Sequence, residues 1–192
     1  MKKKKIIYLI HNVPDLEHYL PIALKIKKKY KNYFLYLCDK KDLLSKTHEA
    51  IIKKIRPIEL NLTDVNNSLF FQFIISIENK INFYKIPYLN FFLHYIKNYL
   101  LSKANINKFY KKFGISIMVS DIQVVKKIGG NKFLRDFFFY SYLIASKLNI
   151  KKVMLPHGIQ LRHITSKKNK EILKPDYLII CNKKEKKQFN YL

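Results

Sequence analysis

The chain has 192 residues, 48% of them hydrophobic, with 14 Tyr, 14 Phe and a formal net charge of +25. That is enough apolar material to offset chain entropy in one domain, which excludes intrinsic disorder, yet it is short for two complete α/β domains. No apolar run reaches the roughly 18–20 residues that a bilayer-crossing helix needs, and the only two cysteines, Cys38 and Cys181, each sit near the end of an apolar run, as reduced core thiols do.

The N-terminal lysines followed by the run 6–10 have the outline of a signal peptide. The run is too short, and His11, Asp15 and Glu17 follow at once, so it reads as a buried strand of a cytoplasmic protein. Leu16, Tyr19, Leu20, Ala23, Leu24 and Ile26 then recur at helical spacing. A second strand at 33–38 and a second amphipathic helix at 43–55 repeat the unit, and two β-α units in a row predict a parallel sheet with helices on both faces. After a short strand at 57–62, the segment 66–113 reads as an aromatic helical insertion of two or three helices, broken at Pro87. Regular alternation resumes with a strand at 115–120, a turn at Gly129–Gly130, a helix at 133–148, and strands at 152–155 and 177–181. Residues 182–192 read as the opening turns of a further helix. The fold class is therefore α/β, a Rossmann-like parallel sheet, in a single domain over 1–192.

The positive charge has a compositional explanation. Of 38 basic residues only Arg56, Arg135 and Arg162 are arginine, in a chain also rich in Ile, Asn, Tyr and Phe. Lysine is a hydrated point charge and a poor bidentate reader of bases, so no specific nucleic acid is expected as a partner. A nonspecific field toward an anionic membrane surface remains.

Ligands of open parallel sheets bind at the carboxyl ends of the strands. The residues just past those ends are His11 and Asn12, Asp39, Ser120 and Asp121, Pro156 to Gly158, and Asn182 with Glu185. His157 stands out, because Pro156 ends the strand and Gly158 permits close approach of a ligand to backbone. A neutral imidazole there can take a proton from an attacking hydroxyl; the bland alternative is a histidine hydrogen-bonded in a tight turn. His11 either orients a substrate or caps the helix near Asp15, while Asp15 is read as a first-turn residue favoured by the helix dipole. His18, His48 and His94 are given no role. The basic loop 160–170, with Arg162, His163 and Lys167, is polar enough to touch a phosphate and reads equally as a solvated loop. The chain contains no GxGxxG, GxxxxGK[ST], CxxC, HExxH or GxSxG, so no cofactor and no metal are expected.

The order of elements, the turn Leu155-Pro156-His157-Gly158 and the strand from Pro175-Asp176 through Cys181-Asn182 with Glu185 resemble the N-terminal domain of GT-B glycosyltransferases, akin to bacterial surface-polysaccharide enzymes of the CDP-glycerol glycerophosphotransferase kind. The motif resemblance covers only about 30 residues, near 153–185. It implies that His157 is the catalytic base toward the acceptor hydroxyl. Taken with the strand-end placement, His11, Asn12, Ser120, Asp121, Gly158, Asn182 and Glu185 are then expected to line the substrate crevice. A nucleotide-activated sugar or glycerol donor would be held by a C-terminal nucleotide-binding domain absent from this chain, and the acceptor would be a glycan or a lipid-linked glycan at the inner membrane face. The aromatic insertion then reads either as a membrane-docking patch or, in the favoured reading, as ordinary packing against the sheet. The competing functional reading is a non-catalytic basic peripheral membrane or nucleic-acid binding protein.

Overall fold

A computed structural model describes residues 3–80, 87–101, 103–120, 132–155 and 175–179. Its framework is a six-stranded sheet, all strands parallel, in the order β3-β2-β1-β4-β5-β6. The strands are β1 (Lys4–Ile10), β2 (Tyr30–Tyr36), β3 (Ile58–Asn61), β4 (Ile117–Ser120), β5 (Lys151–Met154) and β6 (Tyr177–Leu178). The expected α/β, Rossmann-like class is what the molecule has.

β1 lies at the centre because both of its faces are apolar. Ile7 and Leu9 point into one core, while Ile6, Tyr8 and Ile10 point into the other. This is the period-2 alternation of a strand covered on both sides. Its register with β2 runs unbroken from Lys4↔Tyr30 to Ile10↔Tyr36, and on its other edge Ile6 pairs with Ile117 of β4.

One face carries α1 (Val13–Ile26) and α2 (Lys46–Ile55), whose Leu16, Tyr19, Leu20, Ala23, Ile52 and Ile55 fill the core over Tyr8, Phe34 and Tyr36. The opposite face carries α3 (Leu62–Val65), α4 (Leu69–Lys80), α5 (Pro87–Leu100), α6 (Lys103–Phe113) and α7 (Lys132–Lys147). The insertion expected at 66–113 is thus α4, α5 and α6. Pro87 opens α5, where its missing N–H costs nothing.

Local chemistry sets the ends of these elements. Ser45 caps α2 by accepting from the His48 N–H at 3.3 Å, while His48 Nδ1 accepts from the Ser45 N–H at 3.3 Å. His48, given no role from the sequence, therefore closes a capping box. The expected start of α2 at residue 43 moves to Lys46, and 40–42 form a separate 3-10 turn capped by Asp39. Gly114 follows α6 with φ +60, a left-handed position at a helix end that glycine occupies without strain. Beside it Lys5 Nζ donates to the Phe113 carbonyl at 2.6 Å, tying the end of α6 to the start of β1. At the far edge Asp176 pins β6 to β5, since its carboxylate accepts from the Lys152 N–H at 2.7 Å and its own N–H donates to the Lys152 carbonyl at 2.9 Å.

Among the described residues, no helix is long and apolar enough to cross a membrane.

Candidate functional site at the carboxyl ends of the strands

The strand order reverses direction between β1 and β4. From β1 the chain builds outward to β2 and β3, then crosses to β4 on the other side of β1. The two crossovers leave on opposite faces, which opens a crevice above the carboxyl ends of β1 and β4, the switch point at which doubly wound sheets bind ligands. Its floor is the β1–α1 turn and the end of β4.

In the β1–α1 turn, Asn12 is the helix cap, with Oδ1 accepting from the Asp15 N–H at 2.9 Å. That bond orients the amide, so its Nδ2 faces His11 Nε2 at 2.9 Å. With Nδ2 donating, Nε2 must accept, which assigns the neutral imidazole its proton on Nδ1. Nδ1 in turn lies 2.6 Å from Asp15 Oδ2, a close polar contact although the carboxylate sits off the line of an aligned N–H bond. The same carboxylate accepts from the His11 backbone N–H at 2.8 Å. The His11 side chain is 5% exposed, with its ring edge-on to Phe138 of α7 at 5.5 Å. Asn12 rather than His11 therefore caps the helix, and Asp15, read from the sequence as a dipole-favoured first-turn residue, is fully buried as the partner of the turn.

This arrangement decides one chemical question. In dinucleotide-binding sheets the first β-α turn is glycine-rich and its helix N-terminus receives a pyrophosphate. Here Pro14 has no N–H, Asn12 takes the Asp15 N–H, and the Asp15 carboxylate supplies the negative charge that a phosphate would bring. The turn is closed by its own side chains and does not offer a phosphate cradle.

Ser120, at the end of β4, is fully buried. Its hydroxyl donates to the Tyr142 hydroxyl of α7 at 3.0 Å, and its carbonyl accepts from the Leu155 N–H at 3.2 Å. As placed, Ser120 anchors α7 and the end of β5 beneath the rim. Past β2, Cys38 is exposed as a residue, which corrects its expected place in the core. The physical reason is that the ladder ends at Tyr36 and the backbone turns outward at the Asp39 cap. The sulfur still leans on the His11 carbonyl at 3.2 Å. Burial of the sulfur, followed by the Asp42, Asp15 and Asp39 carboxylates and opposed by Lys97, pushes the thiol up to about 11.

Lys97 is the residue that sequence reasoning missed. It is 4% exposed, on the inner side of α5, and its charge opposes the upward shift of the Cys38 thiol. A signal existed, because Lys97 is the single charged residue in α5. A lone charge in an otherwise uncharged helix is either at a surface or serving a buried polar site.

Of the expected crevice residues, the structure brings together His11 and Asn12 at β1 with Ser120 on the adjacent β4. Asp121, His157, Gly158, Asn182 and Glu185 lie outside the described residues, as do Cys181, Gly129–Gly130 and the loop 160–170. Among the described residues, no group of three or more His, Cys, Asp or Glu is placed to hold a metal ion.

No family model matches the chain, and no curated protein matches it. Among solved structures it is similar to one described as a UDP-N-acetylglucosamine 2-epimerase from Listeria monocytogenes, with 10% identity and a TM-score of 0.50 over 98% of this chain and 42% of that one. The chain thus spans less than half the length of that protein. A short-chain dehydrogenase/reductase from Serratia marcescens aligns over 89% of this chain and 62% of its own, at 9% identity and a TM-score of 0.41. The first likeness supports a Rossmann-like domain of the GT-B kind.

Proposed function

We propose that this chain is the acceptor-binding half of a glycosyltransferase or glycerophosphotransferase for cell-surface polysaccharide synthesis, with the nucleotide-activated sugar or glycerol donor held by a separate domain. The observation that carries this reading is the closed β1–α1 turn. The sheet has the order of a ligand-binding doubly wound fold, yet the place where a nucleotide's phosphates would dock is filled by Asp15, His11 and Asn12. What the described residues leave at the crevice is the hydrogen-bonding chemistry of His11 and Asn12, suited to hydroxyl groups. The likeness to part of a protein described by a nucleotide-sugar activity agrees with this reading at the level of fold.

In the proposed reaction an acceptor hydroxyl attacks the donor's anomeric carbon or its phosphorus. The new C–O or P–O bond forms as the bond to the nucleotide leaving group breaks, and the hydroxyl proton passes to His157. Asn12, Gly158, Asn182 and Glu185 orient the acceptor, with His11 holding Asn12 in place; Asp121 completes the rim and Ser120 supports it from beneath.

Two measurements test this. NMR titration of the full chain with a glycerol phosphate oligomer should shift the Asn12 side-chain amide, whereas UDP and CDP alone should leave it in place. In an assay reconstituted with a donor-binding domain, His157→Ala should lower kcat by about 10²- to 10⁴-fold with KM little changed. Tight nucleotide binding by this chain, or full activity of His157→Ala, overturns the proposal.

A further inference from the structure

α4 and α5 pack against each other, and each has an inner face that fills the core, with Phe71 and Ile74 from α4 and Leu93 from α5. Their outer faces are not polar. Leu69, Phe70, Phe73, Phe92, Tyr95 and Tyr99 are between 55% and 84% exposed. The spacing makes two stripes, 69/70/73 on α4 and 92/95/99 on α5, each at the i, i+3, i+4 or i+7 positions of a helix face. Neither 69–77 nor 87–96 contains a charged residue, although 27% of the chain is charged. A water-facing helix does not need such a surface, and contiguous apolar patches of this kind mark interaction sites.

We infer that the α4–α5 face docks the molecule onto an anionic lipid bilayer. Three observations choose this occupant. The net charge of +25 opposes pairing with a second copy and favours an anionic surface, and α6, which follows α5 on the same face of the sheet, adds exposed Lys108, Lys111 and Lys112. Tyr95 and Tyr99 join an apolar ring to a polar tip, the combination suited to the boundary between acyl chains and headgroups. At 12 and 14 residues the two helices are too short to cross a bilayer, so they lie in its surface with their apolar stripes down. The inference does not depend on the ligand of the crevice. Joined to the proposed function, it has the acceptor presented at the membrane.

The chain contains no tryptophan, so a single introduced one reports without background. In the full chain, Phe73→Trp should shift its emission to the blue on addition of phosphatidylglycerol–phosphatidylcholine vesicles. Ala50→Trp, exposed on α2 across the sheet, should not respond. Combining Phe73→Ser with Tyr99→Ser should weaken partitioning to the same vesicles by about tenfold or more, with an unchanged circular dichroism spectrum. Three results overturn the inference. The double variant binds as tightly as the parent, which reduces the effect to lysine adsorption. The Phe73→Trp shift appears without lipid and grows with protein concentration, which identifies a second copy as the cover. Or neither tryptophan responds to vesicles at all.

Discussion

The two faces of the sheet are built by opposite rules. On the α1–α2 side the helices turn apolar residues inward and leave lysines, glutamates and histidines outside, so the sheet face is closed and needs nothing more. On the α4–α5 side the inner residues pack just as tightly, but the outer ones are phenylalanines, tyrosines and a leucine. The first face stores stability; the second carries apolar surface that does not serve folding of the isolated chain. The comparison teaches that burial and hydrophobicity part company here, and a residue's type alone does not say which task it performs.

The largest expected effect tests that division directly. Leu16 of α1 is fully buried in the core of the α1–α2 side, and Leu16→Ala should cost about 2–5 kcal/mol in chemical denaturation, through lost burial and the cavity left behind. Phe70→Ala, an equally drastic loss of apolar atoms on the outer side of α4, should stay within about 0.5 kcal/mol of the parent. Comparable losses at both sites would erase the distinction between the faces. An intermediate effect sharpens it at the crevice. Asp15→Ala removes the acceptor of the His11 N–H and should cost about 1–3 kcal/mol, whereas Asn12→Ala, which loses mainly the cap, should cost about 1 kcal/mol. Equal and negligible losses for both would show that the turn is not held by this network.

Much of the framework was legible because a strand covered on both faces must be a continuous apolar run, as 6–10 and 33–37 are. Strand ends were less legible. β2 stops at Tyr36, two residues short of the apolar run, because its register with β1 and β3 ends there, and only the Leu37 N–H reaches one bond further, to the Ile10 carbonyl. The helical nature of the insertion was readable from its spacing, but its exposure was not. Ordinary packing, the reading favoured from the sequence, holds for Phe71, Ile74 and Leu93 and fails for Phe70, Phe73, Phe92, Tyr95 and Tyr99, since composition gives no way to tell the inner from the outer side of a helix apolar all round. At the site, the position of His11 and Asn12 followed from strand order. The role of Asp15 did not, although the His11–Asp15 spacing of four was on view, because a first-turn aspartate serves the helix dipole equally well whether exposed or buried.

The smallest effect concerns Cys38, where the two regions meet through Lys97. Burial of the sulfur and the surrounding Asp42, Asp15 and Asp39 carboxylates hold the thiol at about 11, against an ordinary value of 9.0. The residue as a whole is exposed, so solvent screens part of this shift. The thiolate is the reactive form, and alkylation at pH 8 should therefore run about tenfold or more slower than for an unperturbed thiol. The measurement is made on the Cys181→Ser chain so that a single thiol reports. Asp39→Asn with Asp42→Asn should speed the reaction, and Lys97→Met should slow it further, because the cation favours the thiolate. The sign for stability follows. A folded value above the unfolded one means that the contribution is fully present below about pH 9 and fades as the pH climbs toward 11. Alkylation as fast as for a free thiol, or insensitive to Lys97→Met, would show that α5 has no electrostatic link to the Cys38 thiol.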